Sequence, residues 1–160
     1  MSAAKHPVPE DLHTVTPYIT CADARKEVEF LKRAFGGEQR GPIMECPETK
    51  SVMHAEVKIG DSVIYLSSAN PECGSKSHAE LGGSPVTLWL YVPDVDALFA
   101  RATQAGATPV QPPADRFWGD RMSVVKDAEG LQWAIASRTR DLTPAQMEQE
   151  RDAFFASMKG

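Results

Sequence analysis

The 160-residue sequence has only three cysteines, Cys21, Cys46 and Cys73, and no pair with CxxC spacing. This odd number argues against a disulfide framework and fits reduced thiols in the cytoplasm. No apolar run approaches the roughly 20 residues that are needed to span a bilayer. Residues 1–13 also lack the apolar segment of a signal peptide. We therefore predict a cytoplasmic protein with a flexible N-terminal tail over residues 1–13 and no membrane partner.

Basic residues are also in deficit. The chain has 17 Lys and Arg against 22 Asp and Glu, its formal net charge is -5, and it contains no run of Lys or Arg. This balance argues against nucleic acid as a partner, because nucleic-acid-binding surfaces are rich in positive charge. The 42% of hydrophobic residues can form the core of one compact domain or of two half-domains.

The strongest positive feature is an internal repeat whose two copies are displaced by about 70 residues. In both copies an extended run ends at an Asp that can cap a helix, Asp23 in the first copy and Asp94 in the second. Apolar residues then recur at helical spacing until a glycine, Gly36 or Gly106, ends the helix. These apolar positions are Ala24, Val28, Leu31 and Phe35 in the first helix, and Val95, Leu98, Ala102 and Ala105 in the second.

Three strand-like segments follow the helix in each copy, and their alternation predicts which face the helix covers. Met53, Ala55, Val57 and Ile59 are assigned to the apolar side. Val52, His54, Glu56 and Lys58 are therefore predicted to point to the opposite face. In the second copy, Leu131, Trp133 and Ile135 are assigned to the helix side, and Arg121, Ser123 and Val125 to the opposite side.

The face that the helices do not cover carries four large aromatic residues, Tyr18, Tyr65, Trp89 and Tyr91, together with hydroxyl groups and a few charges. Strand faces that contact only solvent rarely carry so many aromatic side chains, whereas ligand pockets combine aromatic walls with a few polar groups. We therefore predict that this face lines a cavity for a small molecule.

His54 and Glu56 are the candidate catalytic residues, because two positions on one strand face can reach the same space. A His titrates near neutral pH and a carboxylate can orient it, so the pair could act as a general acid and base. It could also grip a ligand or bind a metal in an unusual way. The alternative is a hydrogen-bonded polar pair that lines the cavity without chemistry, and a binding or structural role is favoured.

The segment Asp115–Arg121 concentrates residue types that recognise ligands. Arg121 can bind a carboxylate or phosphate through two nitrogens, and Trp118 can stack on a planar ligand. The alternative is a loop that closes the second copy, in which Trp118 packs underneath, Gly119 permits the bend and Asp120 pairs with an arginine. This alternative is slightly favoured for Asp120 and Arg121, and the two readings of Trp118 are equal.

The order of elements and a series of short phrases resemble the vicinal oxygen chelate superfamily, and more narrowly the PhnB-like branch of its glyoxalase/bleomycin resistance/dioxygenase group. The resemblance covers about residues 14–140. It rests on the phrases at Tyr18–Asp23, Phe30–Gly36, Met53–Glu56, Ile59–Val63, Tyr91–Asp96, Phe117–Arg121 and Asp127–Gly130.

The resemblance implies an α+β fold of two βαββ modules, which form a curved mixed sheet around a cavity that is commonly completed in a homodimer. The modules are expected at residues 14–68 and 85–138, with a linker at 69–84 between them. In metal-using members, ligands come from the first and last strands of each module. Those positions hold Thr16, Tyr65, Thr87 and Ala134 here. None of these is a usual ligand for a divalent ion, so no cofactor is predicted.

The segment 139–160 lies outside the repeat and contains a predicted helix that begins with a capping box at Thr143 and Gln146. Its apolar stripe of Met147, Phe154, Phe155 and Met158 is expected to be buried, most simply on a second subunit or across a sheet edge.

Three functions remain open. The first is a homodimeric resistance-type protein that binds a small aromatic or partly charged molecule in a cavity between the paired modules, without the usual metal. Its predicted ligand-binding residues are Tyr18, His54, Glu56, Tyr65, Trp89, Tyr91, Trp118 and Arg121. The second is a metal-dependent lyase, isomerase or dioxygenase in which His54 and Glu56 hold a divalent metal. The third is an interaction module without a ligand. The first is favoured.

Overall fold

A computed structural model describes residues 6–158. The chain is divided into two compact units between residues 83 and 84, called here the first and second units. The predicted tail (1–13) and C-terminal segment (139–160) therefore lie partly outside the described residues. The first unit contains β1 (Tyr18–Cys21), α1 (Ala24–Phe35), β2 (Glu38–Glu45), β3 (Val52–Ile59), β4 (Ser62–Ser68) and a short 3-10 helix (Pro71–Cys73). The second contains β5 (Thr87–Tyr91), α2 (Val95–Gln104), β6 (Thr108–Asp115), β7 (Asp120–Lys126), β8 (Gln132–Arg138) and α3 (Pro144–Ser157).

The two units repeat one topology. Their strand orders are β1-β4-β3-β2 and β5-β8-β7-β6, so each unit has its own four-stranded sheet. In both sheets the first strand runs parallel to the last, and the remaining neighbours are antiparallel. The predicted α+β class, the two modules and the added C-terminal helix are confirmed, and each module has the order of strand, helix and three strands. No helix within residues 6–158 is long and apolar enough to cross a membrane.

Local sequence signals explain where the repeated helices begin and end. The Asp23 side chain accepts a hydrogen bond from the Lys26 amide, and the Asp94 side chain accepts one from the Ala97 amide. The first helix ends at Gly36, whose φ of 69° suits the left-handed conformation that glycine adopts without a steric penalty. Both helices therefore start at the capping residues that the sequence predicts.

Each helix covers the apolar face of its own sheet. In the first unit that face contains Ala55, Val57, Ile64 and Leu66, all of which are buried. In the second unit it contains Val125, Leu131, Trp133 and Ile135, which are also buried. Burial of apolar side chains on this side of each sheet is the main favourable contribution to folding.

The strand register of the second unit corrects one prediction from the sequence. Val125 lies opposite Trp133, Ser123 opposite Ile135, and Arg121 opposite Ser137. Directly opposed residues of antiparallel strands share a face, so Arg121, Ser123 and Val125 lie on the helix side. The opposite face instead carries Met122 and Val124, paired with Ala136 and Ala134.

Helix α3 begins with the predicted capping box, because Gln146 and Thr143 exchange hydrogen bonds at its first turn. None of its residues is buried, and Phe154, Phe155 and Met158 are exposed. The Phe154 ring contacts the Phe117 ring with a centroid separation of 5.5 Å. Arg140, which precedes the helix, forms an ion pair with Glu150 at 2.8 Å. Burial of its apolar stripe across a sheet edge thus does not occur within the described chain, and burial on a second subunit stays a prediction.

Candidate functional site

The first unit carries a chain of three charged or titratable side chains on the face that α1 does not cover. His54 Nε2 lies 3.2 Å from Glu56 Oε1, and Arg40 Nη1 lies 3.4 Å from Glu56 Oε2. Arg40 also contacts Asp11. The alternation of β3 places His54 and Glu56 on one face, and the pairing of Arg40 with Glu56 brings the guanidinium group alongside. The carboxylate of Glu56 is therefore shared between an imidazole and a guanidinium group.

Aromatic rings surround this polar chain. The Tyr65 ring is 4.7 Å from the His54 ring and 5.9 Å from the Tyr18 ring, and both contacts are edge-to-face. The Tyr18 hydroxyl donates a hydrogen bond to the Met53 carbonyl at 3.4 Å. Edge-to-face aromatic pairs are favourable because the positive ring edge meets the negative ring face. The structure thus brings together four of the predicted residues, Tyr18, His54, Glu56 and Tyr65.

The second unit contains an open cavity of about 910 Å³. This volume lies within the range of small-molecule sites. Trp89 and Tyr91 project from β5, and they are 45% and 60% exposed. The remaining walls come from β6, β7, β8, the loop before β7, and α3; they are Gln111, Arg116, Trp118, Asp120, Met122, Arg138 and Met147. The cavity therefore combines three aromatic rings with a small number of polar groups.

The buried carboxylate of Asp120 links these walls. Its Oδ2 accepts hydrogen bonds from the Tyr91 hydroxyl at 3.0 Å and from Trp118 Nε1 at 3.1 Å. Its Oδ1 accepts one from Arg138 Nε at 2.7 Å. Asp120 is 1% exposed, and a buried charge is stable only when it is paired and hydrogen-bonded. One carboxylate thus holds two aromatic walls and one cationic wall in fixed positions.

The loop before β7 positions Trp118. Gly119 has a φ of 94°, and a Cβ atom there would lie 2.4 Å from the Arg140 carbonyl oxygen, so only glycine fits this bend. The Trp118 ring packs on a cluster of Met122, Val124, Ala134 and Ala136. Trp118 is therefore both the cover of a small apolar core and a wall of the cavity, which combines the two readings that the sequence left equal.

Arg121 lies away from this cavity. Its Nε and Nη2 atoms donate to the two carboxylate oxygens of Asp96 at 2.6 and 2.7 Å, and its Nη1 atom donates to Asp115 at 3.2 Å. Hydrogen bonds to Asp96 and then to Asp115 raise the pKa of Arg121, and the hydrogen bond from Arg121 lowers the pKa of Asp96. The guanidinium group therefore joins β7 to the first turn of α2 and is not part of the cavity wall.

Comparison with known proteins decides the family. The model of the Glyoxalase/Bleomycin resistance protein/Dioxygenase superfamily matches residues 12–135. The chain belongs to this superfamily. The uncharacterized protein Rv0887c of Mycobacterium tuberculosis (strain ATCC 25618 / H37Rv) is 37% identical over 131 residues, which cover 80% of this chain and 76% of the relative.

Solved structures of similar fold agree with this assignment. TioX from Micromonospora sp. ML1 is 26% identical with a TM-score of 0.59, and the match covers 82% of this chain and 100% of TioX. A gene product from Arabidopsis thaliana is 25% identical with a TM-score of 0.61, and the match covers 78% of this chain and 98% of that protein. The superfamily fold thus extends over most of the chain.

The residues present do not fit the divalent metal that the superfamily implies. Thr16, Tyr65, Thr87 and Ala134 offer no imidazole, carboxylate or thiolate donor. Within residues 6–158, no three His, Cys, Asp or Glu residues lie close enough together to hold a metal ion. The His54 and Glu56 pair supplies two donors, but the Arg40 guanidinium group 3.4 Å from Glu56 would repel a cation there.

Sequence reasoning missed several residues that line the cavity of this superfamily member. Trp89, Tyr91 and Trp118 were predicted and lie together, whereas Asp120 was considered only as the partner of an arginine, which it is. Arg116, Arg138, Gln111 and Met122 were not singled out. The assignment of Trp133 to the helix side could have identified two of the cavity residues. When β7 is paired with β8 so that Val125 lies opposite Trp133, Asp120 and Met122 fall on the cavity face.

Proposed function

We propose that the chain is a glyoxalase/bleomycin-resistance-type protein that binds a small aromatic molecule in the cavity of the second unit. The observation that carries this proposal is the set of three aromatic walls around the cavity, two of which are held by the buried Asp120. Because these walls are fixed before a ligand arrives, little conformational entropy would be lost on binding.

The exposure of the aromatic walls supports the same conclusion. Trp89 and Tyr91 are large side chains that remain about half in contact with solvent. A planar ligand that covers them would gain about 25 cal/mol for each Å² of apolar surface removed from water. Ring stacking would add to this gain, because offset and edge-to-face pairs are favourable beyond the buried area.

The polar groups of the cavity favour binding over catalysis. The nine lining residues include no Ser, Thr, Cys or His that could act as a nucleophile or a neutral-pH base. Asp120, the acidic wall residue, already accepts three hydrogen bonds. The groups in this cavity can therefore orient a ligand, and the carboxylate of Asp120 serves to hold the cavity walls.

The alternative proposal is a metal-dependent lyase, isomerase or dioxygenase that uses His54 and Glu56. The short distance between these two side chains favours it, and the positive charge of Arg40 beside Glu56 counts against it. Elemental analysis of the purified protein tests this alternative. A stoichiometric transition metal that is lost in His54→Ala would support it over the binding proposal.

We further propose membership of the PhnB-like branch, a homodimeric state and a cytoplasmic location. The branch proposal is supported by the serial phrases that begin at Tyr18–Asp23. The dimer proposal is supported by the exposed apolar residues Phe154, Phe155 and Met158 of α3, which a second copy would cover. Sedimentation equilibrium of the full chain tests the dimer, and a concentration-independent monomer would contradict it.

Tryptophan fluorescence tests the binding proposal. Trp89 and Trp118 lie at the cavity, whereas Trp133 is fully buried on the helix side and serves as an internal reference. We expect aromatic compounds to quench the emission of the chain, and Trp89→Phe and Trp118→Phe to remove most of the change. The same compounds should raise the unfolding temperature. A broad panel of aromatic metabolites and antibiotics that changes neither signal would refute the proposal.

A further inference from the structure

Arg116 supplies a cationic wall of the cavity in the second unit. Its Nη2 atom donates a hydrogen bond to Gln111 Oε1 at 2.8 Å, which holds the guanidinium group against β6. Its carbonyl oxygen accepts a hydrogen bond from Arg140 Nη2 at 3.5 Å, so its backbone is also tied to the segment that precedes α3. These contacts orient Arg116, but the side chain of Gln111 carries no charge.

The carboxylates near Arg116 are bound to other arginines. Asp115 pairs with Arg121 at 3.2 Å, Asp120 with Arg138 at 2.7 Å, and Glu150 with Arg140 at 2.8 Å. Within residues 6–158, no carboxylate lies within ion-pair distance of the Arg116 guanidinium group. Its positive charge is therefore not compensated by a specific partner in the described chain.

A second, independent observation concerns the Nε atom of Arg116. This atom is buried, and it has no hydrogen-bond partner. A buried donor without an acceptor costs free energy, and the loss is largest for charged groups. Within the described residues no acceptor satisfies Nε, and a ligand in the cavity that Arg116 lines is one source of such an acceptor.

The balance of charge at the cavity gives the sign of that ligand. The lining residues contain two arginines, Arg116 and Arg138, and one carboxylate, Asp120, so their formal charges sum to +1. Asp120 is neutralised by Arg138 and by two further hydrogen bonds. The excess positive charge therefore belongs to Arg116.

We propose that the cavity binds an aromatic carboxylate, with the ring against the aromatic walls and the carboxylate on Arg116. This inference rests on the proposed binding function and specifies its ligand class. A guanidinium group matches the two oxygens of a carboxylate and keeps its charge at all physiological pH values. Arg116 is then the residue that determines specificity, and Trp89, Tyr91 and Trp118 supply affinity for the ring.

The test compares three probes of nearly equal shape by titration calorimetry. 2-Naphthoate carries a negative charge, 2-naphthamide is neutral, and 2-naphthylmethylamine is positive. We expect 2-naphthoate to bind about ten- to hundredfold more tightly than 2-naphthamide, as one charged hydrogen-bonded pair would give. The amine should bind most weakly, and the preference for the acid should decrease as salt is added.

Three arginine variants complete the design. Arg116→Met keeps the length of the side chain but removes its charge, and it should bind 2-naphthoate and 2-naphthamide equally while its affinity for the amide is unchanged. Arg116→Lys keeps the charge and should retain only part of the preference. Arg121→Met, on the helix side of β7, is the matched control and should keep the wild-type preference. Circular dichroism verifies that each variant is folded.

The possible outcomes separate the two proposals. If the wild type binds none of the three probes and no other aromatic compound, the proposed binding function fails and this inference fails with it. If the wild type binds the amide as tightly as the acid, the binding function stands and the assignment of an anionic ligand is overturned. A preference for the acid that survives in Arg116→Met would also overturn it.

Discussion

The clearest consequence of the structure is that Asp120 stabilises the second unit and fixes the walls of its cavity. Asp120→Ala would leave the Tyr91 hydroxyl, Trp118 Nε1 and Arg138 Nε without their acceptor. All three donors bind an ionised acceptor, and such a hydrogen bond contributes about 1.5–3 kcal/mol when it is buried but only about 1 kcal/mol when the donor can bind water instead, as the 60% exposed Tyr91 can. Arg138 is 55% exposed and can bind water instead, which places its contribution at the low end of that range.

We therefore expect Asp120→Ala to lower the free energy of unfolding by about 3 kcal/mol. Asp120→Asn keeps one acceptor oxygen but loses the charge, so we expect a smaller loss of about 1–2 kcal/mol. Both variants should also bind aromatic ligands more weakly, because Tyr91 and Trp118 would no longer be held in place. Urea unfolding measured by circular dichroism gives the stability, and near-ultraviolet circular dichroism reports the order of the aromatic walls.

Asp115→Asn is the matched control for this experiment. Asp115 lies on the neighbouring strand and also pairs with an arginine, but its side chain is 76% exposed. An exposed ion pair is worth less than about 1 kcal/mol, so this variant should be close to the wild type in stability. If the free energy of unfolding of Asp120→Ala is within about 0.5 kcal/mol of the wild-type value, the reasoning from buried hydrogen bonds is wrong.

Three further predictions follow from local geometry. Gly119→Ala should lower the free energy of unfolding in urea by at least about 2 kcal/mol, because Gly119 has a φ of 94° and an added Cβ atom would lie 2.4 Å from the Arg140 carbonyl oxygen. Gly41→Ala should lower it less, because a Cβ atom added there has no neighbour within 4 Å, and equal losses would contradict this reasoning. Burial raises the pKa of Asp127, so its ionised form is disfavoured in the folded state. The free energy of unfolding of the wild type, relative to that of Asp127→Asn, should therefore decrease as the pH rises from about 4 through the raised pKa. An increase of this difference with pH would contradict the raised pKa. Helix α3 has no buried residue within the single chain, so its amides should exchange with deuterium faster than those of β8 when the protein is dilute and should become protected as the proposed dimer forms at higher concentration; fast exchange at every concentration would contradict a dimer that covers α3.

Much of the fold could be predicted because several independent signals agree in each copy of the repeat. Asp23 and Asp94 are the capping residues of their helices in the structure, as their side chains and positions indicate. In β3 the predicted alternation holds from His54 to Val57, since Ala55 and Val57 are buried and His54 is not; it fails at the start of the strand, where Val52 is buried and Met53 is exposed. The polar face of the first unit therefore follows directly from the sequence.

The apolar stripe of α3 shows a different limit of sequence reasoning. Spacing identified the helix and its capping box, and both are present. The same spacing predicted that Phe154 and Phe155 are buried on a second subunit or across a sheet edge; within the single chain they are 42% and 51% exposed, and burial on a second subunit stays a prediction. Periodicity reports which residues share a helix face, but whether anything packs against that face depends on tertiary or quaternary contacts that a single sequence does not specify.

Strand β7 could not be oriented from the sequence because both of its faces are covered. Residues 122–125 are all buried, so polar and apolar residues do not alternate there. A register error of one residue moves every side chain to the other face, and this is how Arg121 was assigned to the cavity in place of Asp120. Trp133 was correctly assigned to the helix side, and its pairing with Val125 is what shows that Val125 and Arg121 lie on that side too.

The corrected register also changes how the two copies of the repeat compare. Tyr18 pairs with Tyr65, and the equivalent pair in the second unit is Trp89 with Ala134. Glu56 lies opposite Tyr65, and Val124 lies opposite Ala134, so Val124 is the equivalent of Glu56. By the same count Met122 is the equivalent of His54. The middle of the sheet thus carries titratable groups in the first unit and apolar groups in the second. The polar groups of the second unit's cavity consequently lie at the margins of the sheet, where Asp120, Arg138 and Arg116 border an apolar floor, and this arrangement suits a ligand with an apolar ring and a charged group at its edge.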